Sequence, residues 1–543
     1  MRALAVAVLV FVALAAWDLE TPGLGYDEAF DAAIAVQWMH GQPLETAGII
    51  RVNNQRLPIM STDIEGPLGV YLSAVAFKIF GTTVQTLRVL HIAMGGVTLV
   101  LLWVVTRTWV DQTAAAFTVL LCATCPPFVW WTRAGGHWNA LLLPCSLGMF
   151  LAGRYAWCYR KARWFGVTGL CAGLGVTTKI LFVWWVFPIA VTAWWVNRTQ
   201  DGDSRWRWVS WRHGVAAVVG LIVGVWPLLL YNWPDLPTLR FILRNLVTTE
   251  LYGYTNLDLG PHVASQWMGW MRTMGGDTFD YSGRPGLPVG SVLMVWSAVV
   301  TVWALWRCRR DMQPDALDTA RVFLVVAVFI MVPVSAVTTS HNGPGYLLLL
   351  VPAAWMLVGM ALRDAAQATG GHWSVRWLRT LIVVVGVATI GYQAVMNVRV
   401  IHALQRTGGR GMWSDAVARL AVVLENEFPG RQVVAMDWGI ARNLVVLTDG
   451  RLRPSEPYDR RSAPLAGAEL ACATLLADPS NVYVYHAAPH VAFPGTWRRC
   501  LDAASDTHVL IRLERVVRTR AGEAILEIYT AGPPSTVVSA TRP

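Results

Sequence analysis

The sequence predicts a mainly α-helical polytopic membrane protein with a small α/β domain at its C-terminal end. Of its 543 residues, 55% are hydrophobic and 14% are charged, and the mean hydropathy is +0.43. Soluble domains carry about 25% charged residues. Long apolar runs recur up to residue 396, and beyond it the composition becomes that of a soluble protein. We therefore expect a membrane domain at 1–396 and a soluble domain at 397–543.

Eleven apolar runs are predicted to cross the membrane, since a span takes about 20 residues. They lie at 3–17, 86–106, 112–130, 138–153, 164–179, 180–196, 214–231, 286–306, 319–338, 344–362 and 380–396. The first run reads either as a signal peptide or as a retained anchor, and we expect retention because more apolar runs follow. Two shorter segments, 27–40 and 67–80, are expected to be helices lying in the membrane interface.

Positive charge predicts the orientation, because cytoplasmic loops are enriched in Lys and Arg. Every second connection carries arginines, as 154–163 does, whereas the others carry few. The first outer loop (18–85), the loop 232–285 and the C-terminal domain are then expected outside the cytoplasmic membrane. One alternative is a single tilted span over 164–196 with Lys179 buried, which would invert everything downstream.

The polar segments carry their own predicted elements. In the first outer loop, 41–66 is expected to be irregular, and the loop 232–285 is expected to hold two short helices. The C-terminal domain shows helical patterns at 414–428, 440–448 and 464–477, and strand patterns at 432–438, 481–485, 507–515 and 524–529.

Neither charge nor cysteine spacing indicates a nucleic-acid partner or a metal. The net charge of +10 lies in short clusters between apolar runs rather than in one stripe. Cys122 and Cys125 have no second pair at metal spacing, so we expect no metal site. Cys472 and Cys500 share the polar C-terminal region, where a disulfide is open to them if that region is extracytoplasmic.

Carboxylates in the first outer loop are the strongest indication of chemistry. A carboxylate next to a bilayer is costly unless it is paired or used. Asp27, with Glu28 beside it, is our candidate general base, a group that takes a proton from an acceptor hydroxyl or amine. Helical spacing places Asp31 on the same face as Asp27. Capping of the helix N-terminus is the alternative for these carboxylates, and for Asp31 we favour it.

The outer leaflet offers no nucleoside triphosphates, so a glycosyl donor there must arrive on a lipid carrier. Transfer from a polyprenyl phosphate needs a base, positive charge for the leaving phosphate and an apolar groove for the lipid. Lys179, at a tight outer turn, is the best single cation, although a lysine snorkelling to the interface is the alternative. The other candidate substrate-binding residues are Arg56, Asp63, Glu65, Arg133, His137, Asn139, His341 and Tyr346.

These features resemble the GT-C membrane glycosyltransferases, and are most similar to glycosyltransferase family 39. The residues that carry the resemblance are Asp27-Glu28, Pro67-Leu68-x-x-Tyr71-Leu72, Phe80-Gly81, Arg88, Gly173-Leu-Gly-Val-Thr-Thr-Lys179 and Tyr346-Leu-Leu-Leu-Leu-Val-Pro352. The resemblance implies an inverting transfer from a polyprenyl-phosphate sugar to a lipid, glycan or protein, with Asp27 as base and with no obligatory metal or other cofactor.

The chain departs from the family pattern at two places. Glu65-Gly66 stands where many members have Lys-Pro, which removes a phosphate contact. His137 and Asn139 stand where members often carry an acidic residue. Two rival functions stay open at this point, a flippase or transporter of lipid-linked sugars and a non-catalytic protein of envelope glycan assembly. Few charges lie deep inside the predicted spans, which favours a one-sided enzyme over a transporter.

Overall fold

The first part of the chain is a bundle of helices. The computed structural model describes residues 1–199, 209–249, 254–276, 287–308, 316–337, 344–367, 373–457, 468–492, 494–506 and 508–532. Its α-helices up to residue 407 are α1 (Arg2–Ala15), α2 (Tyr26–Met39), α3 (Leu68–Phe80), α4 (Val84–Trp109), α5 (Gln112–Thr124), α6 (Pro126–Ala134), α7 (His137–Tyr159), α8 (Ala162–Thr178), α9 (Val186–Thr199), α10 (Trp211–Asn232), α11 (Pro237–Val247), α12 (Leu259–Met274), α13 (Val289–Cys308), α14 (Ala316–Val325), α15 (Met331–Ser335), α16 (Pro344–Leu347), α17 (Val351–Gln367) and α18 (Trp373–Thr407). Short 3₁₀ turns at Ile180–Trp185 and Leu348–Leu350 and a π turn at Val326–Ile330 continue neighbouring helices.

The described helices make this a multi-pass membrane protein. Eight of them are long and apolar enough to cross a bilayer, or nine if the bent pair α5 and α6 forms one span. Each predicted apolar run falls on one or two of the helices, but α1 and α8 are shorter than the eight. The predicted count of eleven is therefore not confirmed. The segment predicted at 67–80 forms α3, which has only 13 residues.

Helices α8 and α10 pack against each other through glycines. A Cβ added to Gly169 would lie 2.0 Å from the Ala217 carbonyl oxygen, and one added to Gly220 would lie 2.0 Å from the Gly166 carbonyl oxygen. Small residues allow this close approach of two helix backbones, which is common in membrane helix pairs. Near the end of α8, the Thr177 hydroxyl donates to the Gly224 carbonyl of α10 at 2.9 Å, which holds the segment that leads to Lys179.

The first outer loop is more regular than predicted. Within 41–66, strands β1 (Gly48–Val52) and β2 (Gln55–Met60) pair as an antiparallel hairpin. Asn53 and Asn54 form its turn with φ values of +48° and +64°. Asparagine tolerates this left-handed conformation, which two-residue hairpins prefer. The expectation of an irregular loop was wrong, and the Asn53-Asn54 pair is the local signal from which the turn could have been predicted.

The C-terminal part folds around a four-stranded sheet. After the two-residue strands β3 (Thr248–Thr249), β4 (Tyr254–Thr255), β5 (Gly409–Arg410) and β6 (Trp413–Ser414) come β7 (Gln432–Ala435), β8 (Asn481–His486), β9 (Leu510–Arg518) and β10 (Ala524–Gly532). The sheet order is β7-β8-β10-β9, with β7 and β8 parallel and the other pairs antiparallel. Its helices are α19 (Ala416–Glu427), α20 (Ala441–Leu447), α21 (Ala468–Ala477) and α22 (Pro494–Asp506).

Most predicted elements of the C-terminal part are confirmed. The predicted helices correspond to α19, α20 and α21, and the predicted strands correspond to β7–β10. Helix α22 was missed. Cys472 and Cys500 form a disulfide that joins α21 to α22, as was open from the sequence.

Candidate active site

Helix α2 presents its acidic side chains in two directions. Asp27 lies in the first turn, where the helix dipole favours negative charge, and its side chain is exposed. Asp31 lies one turn later, which places it near Asp27 on the same face. Glu28 points away from that face and is fully buried. The two aspartates therefore share one face of α2, and Glu28 lies on another.

Glu28 forms a buried ion pair with Arg88 of α4. The Arg88 guanidinium donates to both carboxylate oxygens, with its Nε 2.7 Å and one Nη 2.9 Å away. It also donates to the Leu19 and Pro22 carbonyl oxygens at 2.7 and 2.9 Å. The pair ties the loop before α2 to the helical bundle. This geometry argues against the catalytic role that we expected for Glu28.

Arg133 performs a similar structural task. Its guanidinium is fully buried and donates to the Trp17 carbonyl oxygen at 2.8 Å, and also to the carbonyls of Asp18 and Thr21. It lies over the Trp130 ring, 4.9 Å from the centroid. The structure thus uses Arg133 to hold the loop that joins α1 to α2, and not as the substrate contact that we expected.

Lys179 and Glu65 face each other because backbone hydrogen bonds join the two chain segments that carry them. The Gly66 amide donates to the Thr177 carbonyl at 2.6 Å, and the Ile180 amide donates to the Ile64 carbonyl at 3.1 Å. These two bonds flank both side chains. The Lys179 Nζ atom then lies 2.6 Å from the Glu65 Oε1 atom. A Cβ at residue 66 would lie 2.4 Å from Thr177, so this approach requires glycine.

Two aromatic rings complete the surroundings of Lys179. Its Nζ atom lies 3.6 Å from the Trp138 ring centroid and 4.5 Å from the Tyr346 ring centroid. The two rings stack on each other at 4.9 Å. Cation–π contacts of this kind favour the charged ammonium. Tyr346, which we expected to bind substrate, therefore lies in the site, and Trp138 is a site residue that the sequence did not single out.

Asp27 lies within the field of this lysine. The residue is exposed, but protein groups crowd around its carboxyl and reduce the hydration of the charged form. This desolvation raises the pKa of Asp27 above its ordinary value of 3.8. The Lys179 ammonium opposes that increase, and the Glu65 carboxylate adds to it. Asp27, Glu65 and Lys179 are thus coupled charges of one site. A carboxylate with a raised pKa is a stronger base than an ordinary one.

Asp31 connects the charged cluster to buried polar groups. Burial, with a contribution from Glu65, raises the pKa of Asp31 to about 7. Its Oδ2 atom lies 4.0 Å from the Nδ1 atom of His137, whose Nε2 atom is 2.5 Å from the Ser73 hydroxyl. The His91 ring packs against His137 at 4.6 Å. Our preference for a capping role at Asp31 gave no indication of this line of polar groups.

The remaining candidates divide between the site and its supports. Asn139 is buried, and both polar atoms of its amide lack a hydrogen-bond partner among the described residues. Asp63 accepts a hydrogen bond from the Tyr231 hydroxyl and so ties the segment before Glu65 to α10. Arg56 is exposed on the hairpin, opposite Arg51, and the described contacts of the cluster do not include it. His341 lies outside the described residues.

Comparison with solved structures identifies the fold. The chain matches the crystal structure of ArnT from Cupriavidus metallidurans bound to undecaprenyl phosphate, with a TM-score of 0.59 and 15% identity over 97% of each chain. The chain has the GT-C fold of membrane glycosyltransferases. This GT-C chain also matches the Archaeoglobus fulgidus oligosaccharyltransferase in complex with Zn and sulfate, with a TM-score of 0.55 and 13% identity over 89% of this chain and 68% of that one.

A third similar structure is the archaeal oligosaccharyltransferase AglB from Archaeoglobus fulgidus, in complex with an inhibitory peptide and a dolichol-phosphate. It matches with a TM-score of 0.53 and 12% identity over 94% of this chain and 69% of that one.

Sequence comparison supports the same assignment over part of the chain. Residues 65–231 match the family described as dolichyl-phosphate-mannose-protein mannosyltransferase. That segment contains Glu65, His137 and Lys179, and it begins after Asp27. No curated protein matches the chain significantly. The family match over residues 65–231 supports glycosyltransferase activity, and the solved structures show the GT-C fold.

Proposed function

We propose that this GT-C chain transfers a sugar from a polyprenyl-phosphate donor to an acceptor at the outer face of the cytoplasmic membrane, with inversion at the sugar. The observation that carries the proposal is the electrostatic interaction of the exposed Asp27 carboxylate with the Lys179 ammonium. Contacts with Glu65, Trp138 and Tyr346 hold that ammonium in place. ArnT was solved with undecaprenyl phosphate and AglB with a dolichol-phosphate. A lipid-borne donor therefore suits this fold.

Asp27 is the general base of the proposed reaction. The acceptor oxygen or nitrogen attacks the anomeric carbon while the bond from that carbon to the phosphate oxygen breaks. The bonding electrons leave with the polyprenyl phosphate, and the acceptor proton passes to the Asp27 carboxylate. Attack from the face opposite to the phosphate inverts the anomeric carbon. Burial raises the pKa of Asp27, which favours proton uptake, and the Lys179 ammonium opposes that rise.

Lys179 stabilises the leaving phosphate. An ammonium has three donors, and Glu65 accepts from one of them. The Trp138 ring contacts the ammonium through its face, and the Tyr346 hydroxyl accepts a second hydrogen bond from it, so that one donor remains. A phosphate oxygen therefore has a donor available to it. Positive charge placed where the leaving group develops negative charge lowers the barrier to bond cleavage.

Buried polar groups beside the cluster provide contacts for the sugar. The Asn139 amide and the His137 Nδ1 atom have no hydrogen-bond partner among the described residues, and neither has the Asp31 Oδ1 atom. Such groups are costly to bury unless a ligand pairs with them. Sugar hydroxyls both donate and accept, so they suit an amide, an imidazole and a carboxyl. We assign His137, Asn139 and Asp31 to the sugar, with Tyr346 against its ring.

The outward orientation rests on charge and on cysteine pairing. Arginines lie on the connections at the opposite end of the bundle from Lys179, as in 154–163, which is typical of cytoplasmic loops. The disulfide between Cys472 and Cys500 suits an oxidising compartment. Acceptors that reach this face are lipids, glycans or proteins of the envelope.

Deletion of the gene, followed by mass spectrometry of the envelope glycans and lipids, tests the function whichever sugar is transferred. We expect one sugar to be missing and the wild-type gene to restore it. Asp27→Asn should fail to restore it at matched expression. Asp235→Asn, which changes an exposed carboxylate in the loop after α10, should restore it fully. Full restoration by Asp27→Asn would refute the proposed base, and an unchanged envelope in the deletion strain would refute the function.

A further inference from the structure

Helix α2, which carries Asp27, is packed between the membrane helices and the C-terminal part of the chain. Its alanines Ala29, Ala32 and Ala33 are fully buried. They share one apolar cluster with Val70 and Phe77 of α3 on one side and with residues of α20 on the other. Alanines let both neighbouring helices approach the α2 backbone closely. The position of α2 therefore depends on both parts of the protein.

Polar contacts from the C-terminal part hold the start of α2. The Asn443 side-chain amide, buried in α20, donates to the Leu24 carbonyl oxygen at 2.8 Å. The Trp438 ring lies 4.5 Å from the Tyr26 ring. Leu24 and Tyr26 both lie just before Asp27 in the chain. The hydrogen bond to the Leu24 carbonyl holds the backbone just before α2, and the ring contact holds the first residue of the helix, so together they set where its first turn lies.

Further contacts continue along α2 and past its end. The Arg442 guanidinium lies 4.7 Å from the Phe30 ring centroid, and its Nη2 atom donates to the Glu45 carbonyl oxygen at 2.7 Å. The Gln42 side-chain amide donates to the Gly450 carbonyl oxygen at 3.0 Å. One segment of the C-terminal part, 438–450, thus follows α2 over its whole length.

We infer that the C-terminal domain positions the candidate catalytic residue Asp27. It holds α2 and so sets where the Asp27 carboxylate lies relative to Lys179. Asn443 and Trp438 are positioning residues, since they contact the Leu24 backbone and the Tyr26 ring, which lie just before Asp27. This inference rests on the proposed function and adds to it a task for the C-terminal domain. A displacement of about 1 Å at a reacting group can cost on the order of 10²-fold in rate.

The test compares full-length variants expressed at matched levels in the deletion strain. Asn443→Ala and Trp438→Ala should restore less than about a tenth of the missing sugar, given the sensitivity of rate to position. Trp438→Phe keeps an aromatic ring against Tyr26 and should restore most of it. The purified Ala variants should bind undecaprenyl phosphate with unchanged Kd, because Lys179 is untouched. Their amides in 26–39 should exchange hydrogen for deuterium faster than wild-type amides.

A matched control separates positioning from general destabilisation. Leu476 is buried in a cluster of the C-terminal part that includes no described residue of α2 or of 438–450, so Leu476→Ala weakens the domain core away from the contact with α2. We expect Leu476→Ala to lower the melting temperature and still restore the sugar.

Wild-type restoration by Asn443→Ala and Trp438→Ala would overturn the inference. So would a loss in Leu476→Ala equal to theirs at an equal fall in melting temperature. If either result appears while Asp27→Asn stays inactive, only the positioning inference fails. An active Asp27→Asn overturns both proposals.

Discussion

Glu65→Gln should tighten the binding of undecaprenyl phosphate. The Glu65 carboxylate lies 2.6 Å from the Lys179 ammonium. It partly neutralises the positive charge that we propose for binding the lipid phosphate. A phosphate oxygen on the same ammonium would lie roughly 5 Å from that carboxylate, given charge-assisted hydrogen bonds of ordinary length. Removing one of two like charges at this separation is worth about 1–3 kcal/mol for effective dielectric constants between about 80 and about 20.

The lower end of that range applies here. The Glu65 side chain is 18% exposed, so water screens its charge in part. We therefore expect a gain of about 1 kcal/mol, which is about a fivefold fall in Kd. Glutamine keeps the shape of the side chain and an oxygen that accepts from the ammonium. The substitution thus changes charge with little change in the geometry around Lys179.

Titration of purified protein in nanodiscs of neutral lipid with undecaprenyl phosphate measures the effect. Glu45→Gln is the matched control, because Glu45 lies in the same outer loop and pairs with Arg442, 3.3 Å away, instead of Lys179. It should leave Kd unchanged. Weaker or unchanged binding in Glu65→Gln would contradict the assignment of Lys179 to the phosphate and would make Glu65 a group that orients the lysine.

Two further predictions concern stability and are checked by thermal unfolding in detergent. Glu28→Gln leaves the buried Arg88 charge without its counter-charge and should lower the free energy of unfolding by about 3–5 kcal/mol; a loss below about 1 kcal/mol would show that the pair is not the anchor described above. Asp31 keeps its proton in the folded state up to a pKa of about 7, whereas the ordinary value is 3.8. The unfolded chain therefore binds fewer protons between about pH 4 and about pH 7, so the contribution of Asp31 to stability is present below that window and is lost as pH rises through it. Asp31→Asn removes this dependence, and its melting temperature relative to wild type should rise from about pH 4 to about pH 7 and then stay level. A constant difference across that window would refute the burial of Asp31.

Local patterns in the sequence predicted most of the fold, because they act over short distances. Long apolar runs indicate membrane helices whatever they pack against, and the alternation in the C-terminal part identified all four strands of its sheet. Lys179 interrupts one long apolar stretch, and this interruption indicated the turn where the structure places it. The helical spacing of Asp27 and Asp31 likewise predicted their common face.

Pairings between distant residues could not be predicted in the same way. Glu28 and Asp27 are neighbours in the chain, and only the position of Arg88, 60 residues later, separates a buried anchor from an exposed base. From the sequence, Arg133 is a candidate cation on the outer face. Only the structure shows that its guanidinium binds carbonyls of the loop before α2. The hydrogen bond from Asn443 to Leu24 crosses 419 residues. No local pattern records such a contact, so the task of the C-terminal domain came only from the structure.

The most direct test of the proposed mechanism is the single-turnover rate of sugar transfer by purified Asp27→Asn, measured with the polyprenyl-phosphate sugar that mass spectrometry of the envelope identifies. We expect a fall of roughly 10²–10⁴-fold, the usual contribution of a general base. Binding of undecaprenyl phosphate should stay unchanged, and Asp235→Asn should transfer at the wild-type rate. An Asp27→Asn rate within about threefold of wild type would contradict the claim that this carboxylate takes the acceptor proton.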